Sequence, residues 1–213
     1  MITGAPPSSQ TAANEGLSFL AELPLLLVVA AVIAFVLRTL VAQAFYIPSG
    51  SMIPQLEIND RVVVSKLAYR AHQPRRSDIV VFDCPPKASC PAHPAAAANP
   101  VVRAVHFVGE KVGVVQPSTD DYIKRVIGLP GDTVEGRGGH VYVNGQLLVE
   151  PYLKPTVVTS DFQPVELAKG TLWVMGDNRA NSADSRVFGP IERRTIVGRA
   201  IAKVWPLPQM SYL

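Results

Sequence analysis

Fourteen consecutive residues from Pro24 to Leu37, PLLLVVAAVIAFVL, carry no charge. A run this apolar has to leave water, either as a membrane segment or as the core of a cleavable leader. By itself it is shorter than the ~20 residues that span a bilayer core. Arg38 can snorkel, however, and apolar residues resume from Thr39 to Ile47. The expectation is one membrane helix over 20–45. A cleavable leader would need a positively charged region ahead of its core, and residues 1–22 hold no Lys or Arg. The same absence leaves the N-terminus without a charge bias to set its orientation.

The rest of the chain has room for one compact domain, since the whole is 213 residues and 22.9 kDa. Net charge is +3, with Lys and Arg scattered, which excludes a nucleic-acid footprint. Residues 1–16 are small and polar, and the segment 1–19 is expected to be disordered. After the apolar run the pattern changes to short, β-branched segments. Asp60–Lys66, Ser77–Phe82 and Asp121–Ile127 read as strands, and so do Thr171–Met175 and Val197–Trp205. Asn144-Gly145 between HVYV and QLLV is a strong hairpin signal. No helix-period run follows the anchor. The predicted fold is therefore mainly β, an antiparallel catalytic domain over 46–213 behind one N-terminal transmembrane helix. A Pro/Ala-rich insertion occupies about 85–119, and a small cap region lies at about 134–167.

At the junction of anchor and domain stands Tyr46-Ile47-Pro48-Ser49-Gly50-Ser51-Met52-Ile53-Pro54. The prolines fix φ on both sides while Gly50 is free, which favours a stiff, exposed turn presenting two serines. A serine hydroxyl needs a base to become a nucleophile. The four histidines, His72, His93, His106 and His140, stand apart in motif-poor settings, so a lysine is the alternative base if burial keeps it neutral. Lys124 lies inside the apolar segment Asp121–Ile127, where local sequence allows either an exposed or a buried side chain. Cys84 and Cys90 bracket the start of the Pro-rich insertion and are candidates for a small disulfide in an oxidising compartment. With His93 they lack a fourth ligand and any usual zinc spacing, so no metal or cofactor is expected.

Three longer boxes give the serine and lysine a context: PSGSM at Pro48–Met52, DYIKRVIGLPGD at Asp121–Asp132 and GDNRANSADSR at Gly176–Arg186. With Asp60–Ser65 and Ser77–Phe82, they resemble the type I signal peptidases, membrane-anchored Ser/Lys proteases that remove signal peptides from exported proteins. The resemblance implies Ser51 as nucleophile, Lys124 as general base, Ser49 as an oxyanion donor beside the Ser51 N–H, and Ser182 as the group orienting the lysine. It implies ion pairs among Arg125, Asp177, Asp184 and Arg186. It also implies shallow apolar substrate pockets from Phe45, Ile47, Pro48, Met52, Tyr122 and Ile123, suited to Ala-x-Ala, with the substrate extended along the edge near Asp121–Ile123. The implied partners are signal peptides of preproteins and a lipid bilayer. The implied location is the cell membrane, single-pass, with a cytoplasmic N-terminus and an extracytoplasmic catalytic domain. Gln55, Ser77 and Ala180 depart from the family pattern, where Thr, Gly and an acid are common. The competing readings are a Ser/Lys protease with another processing substrate and a catalytically silent, membrane-anchored peptide-binding β-domain.

Overall fold

A computed structural model of the chain describes residues 23–32, 42–85 and 121–213. Twelve strands occur among them, in two sheets. The larger sheet uses β1 (Ala42–Tyr46), β2 (Arg61–Ser65), β3 (Ile79–Asp83), β4 (Asp121–Gly128), β9 (Thr171–Met175), β10 (Ile191–Glu192), β11 (Ile196–Trp205) and β12 (Ser211–Tyr212). Its order is β1-β2-β11-β3-β4-β9-β10, with β12 on β11, and every pairing is antiparallel. The smaller sheet has the order β7-β6-β5-β8, from β5 (Thr133–Arg137), β6 (His140–Val143), β7 (Gln146–Leu147) and β8 (Phe162–Glu166).

Residue type explains the central strands. The Ile79–Phe82 part of β3, IVVF, and the Ile123–Gly128 part of β4 are buried residue after residue. A strand covered on both faces reads as a continuous apolar run and loses the polar/apolar alternation. β4 contributes Ile123, Val126 and Ile127 to three separate hydrophobic clusters, so it is the strand about which the interior is packed. Each such side chain stabilises the fold by roughly 1.5–3 kcal/mol through burial. The hairpin between β6 and β7 turns on Asn144 and Gly145, both at positive φ (53° and 77°), as a type I′ turn requires. Phe162 of β8 stacks on Trp173 of β9, with centroids 5.3 Å apart, and so joins the small sheet to the large one.

One sequence expectation is overturned here. The helix expected over 20–45 cannot run to Phe45, because Ala42–Tyr46 is strand β1, paired residue for residue with β2 from Ala42↔Ser65 to Tyr46↔Arg61. The physical reason is that AQAFY finds a β-branched partner, RVVVS, whose edge it completes. Residues 23–32 are helical with exposed side chains, and among the described residues no helix is long and apolar enough to cross a membrane. The remaining parts of the anchor expectation lie outside the described residues. So do the N-terminal 1–19 segment, most of the insertion, Cys90, His93 and His106.

Candidate active site

The nucleophile turn begins where β1 stops. Ile47 N–H donates to Asp60 O (2.9 Å) and Asn59 N–H to Ile47 O (3.0 Å), closing a loop whose tip is a 3₁₀ turn, Gly50–Met52. Ser49 precedes it in extended geometry (φ −132°, ψ 154°). Met52 has no exposed surface and packs into the core with Phe45 and Ile47, so it pins the turn from below. Ser51, one residue earlier, is held 7% exposed at the surface of that plug. Ser49 Oγ lies 3.4 Å from Ser51 Oγ.

Lys124 comes to the serine from β4. Its Nζ lies 2.7 Å from Ser51 Oγ and donates to Ile123 O at 2.9 Å. The side chain is only 3% exposed. Burial, which disfavours the ammonium, lowers its pKa from the ordinary 10.5 to about 8, against the opposing charges of Asp184 and Asp177. A neutral amine is therefore accessible near neutral pH at hydrogen-bond distance from a hydroxyl. That is the geometry of a base and its nucleophile. The Tyr122 ring, two residues earlier on the strand, is 5.3 Å from Nζ.

The segment after β9 closes the site. Gly176 permits the approach, because a Cβ there would stand 2.5 Å from Ser51 O and 2.2 Å from Ser182 Oγ. Asp177 is gripped by Arg125 through two hydrogen bonds, Nε to Oδ1 at 2.8 Å and Nη2 to Oδ2 at 2.6 Å. Asp184 does three tasks: it accepts from Gly176 N (3.0 Å), caps the helical turn Ser185–Phe188 and pairs with Arg186 at 2.9 and 2.8 Å. Ser182 Oγ is buried beside Gly176 and has no hydrogen-bond partner among the described residues. Thus Ser51, Ser49 and Lys124 stand together, whereas the expected Ser182–Lys124 hydrogen bond is not formed and Ile123 O takes that place.

The chain matches the family described as signal peptidase, peptidase S26, over residues 20–205. It belongs to that family. It is 40% identical over 185 residues to a signal peptidase I of Leptolyngbya laminosa, an alignment covering 85% of this chain and 78% of that one. To a signal peptidase I of Mycobacterium tuberculosis H37Rv it is 37% identical over 216 residues, covering 89% and 74%. A solved signal peptidase I from Enterococcus faecalis matches 60% of this chain at 29% identity, with a TM-score of 0.39, too low to bear on the fold. As a signal peptidase, the protein is a serine endopeptidase.

Other expected positions fall in different surroundings. Phe45, Ile47, Met52 and Ile123 share one core cluster and are buried, while Pro48 is exposed. Tyr122 packs edge-on against Phe188, their centroids 6.1 Å apart. Cys84 is disulfide-bonded. Ser77, where the family pattern has Gly, sits at φ 73°, and its carbonyl accepts from Arg125 Nη1 at 2.9 Å. Sequence reasoning missed two braces. Arg179 pairs with Glu150 and donates to Thr159 Oγ1 (2.8 Å) and Gly176 O (3.1 Å). Asn178 bonds the nucleophile turn directly. Asn178 lies within the third box and could have been singled out there, but no local signal pairs residue 179 with residue 150.

Proposed function

We propose that this signal peptidase cleaves signal peptides from preproteins by a Ser51–Lys124 dyad, after small residues of the Ala-x-Ala type. The observation that carries the reading is the 2.7 Å approach of a buried Lys124 Nζ, with a pKa of about 8, to Ser51 Oγ. In the neutral amine the Nζ lone pair accepts the hydroxyl hydrogen. Ser51 Oγ then attacks the scissile carbonyl carbon as its proton passes to Nζ. The carbonyl oxygen becomes an oxyanion, held by the Ser51 backbone N–H and the Ser49 hydroxyl. Fixed donors of this kind commonly contribute ~3 kcal/mol each. The ammonium returns its proton to the leaving amine, and the C–N bond breaks to leave an acyl-Ser51. A water molecule, deprotonated by the regenerated amine, attacks the ester and frees the enzyme. In this scheme Asp177, Asp184, Arg125 and Arg186 brace the site, and Ser182 lies beside the nucleophile turn as a supporting hydroxyl.

The substrate lies extended beside the start of β4, near Asp121–Ile123. Main-chain pairing of an extended peptide with that part of β4 is strand addition, in which pockets set the side chains accepted. Phe45 and Ile123, slightly exposed above the fully buried Met52, fit shallow subsites that accept alanine and little more. An anchor ahead of β1 would hold the domain at the bilayer, N-terminus inside and catalytic domain on the trans face, where exported chains emerge. The test is cleavage of a preprotein with an Ala-x-Ala site, compared with one in which both alanines are replaced by leucine. Wild type cuts the first only, and Ser51→Ala and Lys124→Arg cut neither; an active Ser51→Ala enzyme would falsify the dyad.

A further inference from the structure

Asn178 touches the nucleophile turn at two successive peptides. Its side-chain Nδ2 donates to Gly50 O at 3.0 Å, and its backbone N–H donates to Ser51 O at 3.0 Å. The carbonyl of Gly50 and the N–H of Ser51 belong to one planar unit, in which a trans peptide points them in opposite directions. Whatever fixes the first therefore aims the second. We propose that Asn178 is a positioning residue that aims the Ser51 backbone N–H at the oxyanion of the reaction. The proposal rests on the serine mechanism given above and deepens it.

The same contact strengthens the donor as well as aiming it. A hydrogen bond accepted by an amide carbonyl polarises the amide, so its N–H becomes a better donor, and the effect is larger at low local dielectric. Asn178 is itself well referenced. Gly176 brings the segment against Ser51, as a Cβ there could not fit, and Asp177 is clamped by Arg125. Arg125 follows Lys124 directly on β4. The base and the aim of the oxyanion donor are thus set from adjacent residues of one buried strand, by two routes that reach Ser51 at different atoms. Losing Asn178 Nδ2 does not orphan Gly50 O, which also accepts from Ile53 N–H at 3.3 Å. The consequence of the loss is a freer peptide, which still has a hydrogen-bond partner.

The test uses the full chain in detergent, with Asn178→Ala and Asn178→Asp. Asparagine and aspartate have the same shape, so the second variant keeps the packing and turns an oxygen toward Gly50 O; it carries the test if the first folds poorly. The probe is a peptide boronate ending in Ala-x-boroalanine, whose tetrahedral adduct with Ser51 places an oxygen where the oxyanion forms. Removing one oxyanion donor outright costs about 10²–10³ in kcat, so a misaimed donor is expected to cost about 10–100-fold. KM stays within about twofold, and the boronate inhibition constant weakens by the same factor as kcat/KM. In Asn178→Ala the pH midpoint of kcat/KM does not move, since Lys124 keeps its own contacts, whereas the added carboxylate of Asn178→Asp moves it to higher pH. A kcat loss with unchanged boronate affinity, a shifted midpoint in Asn178→Ala, or a KM rise that accounts for the loss overturns the role of Asn178. A wild-type enzyme whose boronate binding is indifferent to Ser51→Ala overturns the underlying mechanism and this proposal with it. A wild type that binds through Ser51, with variants that bind as well, removes Asn178 alone.

Discussion

The pH dependence of cleavage follows from the surroundings of one amine. Lys124 is buried among apolar side chains, and this brings its pKa from 10.5 to about 8. At pH 7 a lysine of ordinary pKa is neutral in about one molecule in 3,000, whereas one titrating at about 8 is neutral in roughly one in eleven. The fold thus makes the competent base about 300-fold more abundant. Because the neutral form is the active one, kcat/KM should rise tenfold per pH unit on the acid side and level off above a midpoint near pH 8. Asp184 and Asp177 oppose the depression, so Asp184→Asn should move the midpoint to lower pH. Lys124→Arg carries a permanent charge and should be inactive at every pH. The assay is kcat/KM on an Ala-x-Ala peptide from pH 5 to 10, for the wild type and for single substitutions of His72, His93, His106 and His140. A limb that disappears with any histidine, a midpoint near 10.5, or an active Lys124→Arg enzyme refutes the reasoning.

Three other outcomes are expected. Ser49→Ala should lower kcat on the order of 10²-fold with KM nearly unchanged, read by steady-state kinetics, and equal loss in both constants would remove Ser49 from the oxyanion role. Lys124→Met should abolish cleavage yet raise unfolding free energy at pH 7 by up to about 3 kcal/mol, because 2.5 pKa units correspond to that much buried-charge cost. The sign is that of a depressed lysine: wild-type stability rises with pH between about 8 and 10.5, where the unfolded chain still holds the proton, and the Met variant should lose that slope in urea titrations. Ser77→Gly relieves a left-handed serine at φ 73°, worth about 1–2 kcal/mol, against about 0.5–1 kcal/mol of extra chain entropy. A rise in Tm of a few degrees is expected with cleavage intact, and a fall would show that Ser77 makes a compensating contact.

How much of this could be read from the chain differs by element. The Asn144-Gly145 hairpin was legible because a type I′ turn is decided by two adjacent residues, and both take positive φ. The mainly antiparallel β architecture was legible for a similar reason, since short β-branched segments lay between turn signals. Strand β1 was not, because an apolar AQAFY joined to an apolar run carries no period of its own, and its identity depends on pairing with residues 61–65. Lys124 was ambiguous from its neighbours alone. A single cation on a strand usually faces water, and only the coverage of β4 on both faces, by side chains far away in sequence, decides otherwise. The contacts of Asn178 with Gly50 and of Arg179 with Glu150 span 128 and 29 residues, distances at which local sequence carries no pairing information.

The sheet order also dictates when the enzyme can become active during its own synthesis. The nucleophile enters on the β1–β2 pair and the base on the β3–β4 pair, and the strand that sits between β2 and β3 is β11, at Ile196–Trp205. A nascent chain that has emerged as far as residue 195 already carries Ser51, Lys124 and the whole of the third box, yet lacks the strand that sutures the two pairs together. Catalytic competence then waits for β11. A C-terminal truncation that removes no site residue should consequently be as inactive as a serine mutant.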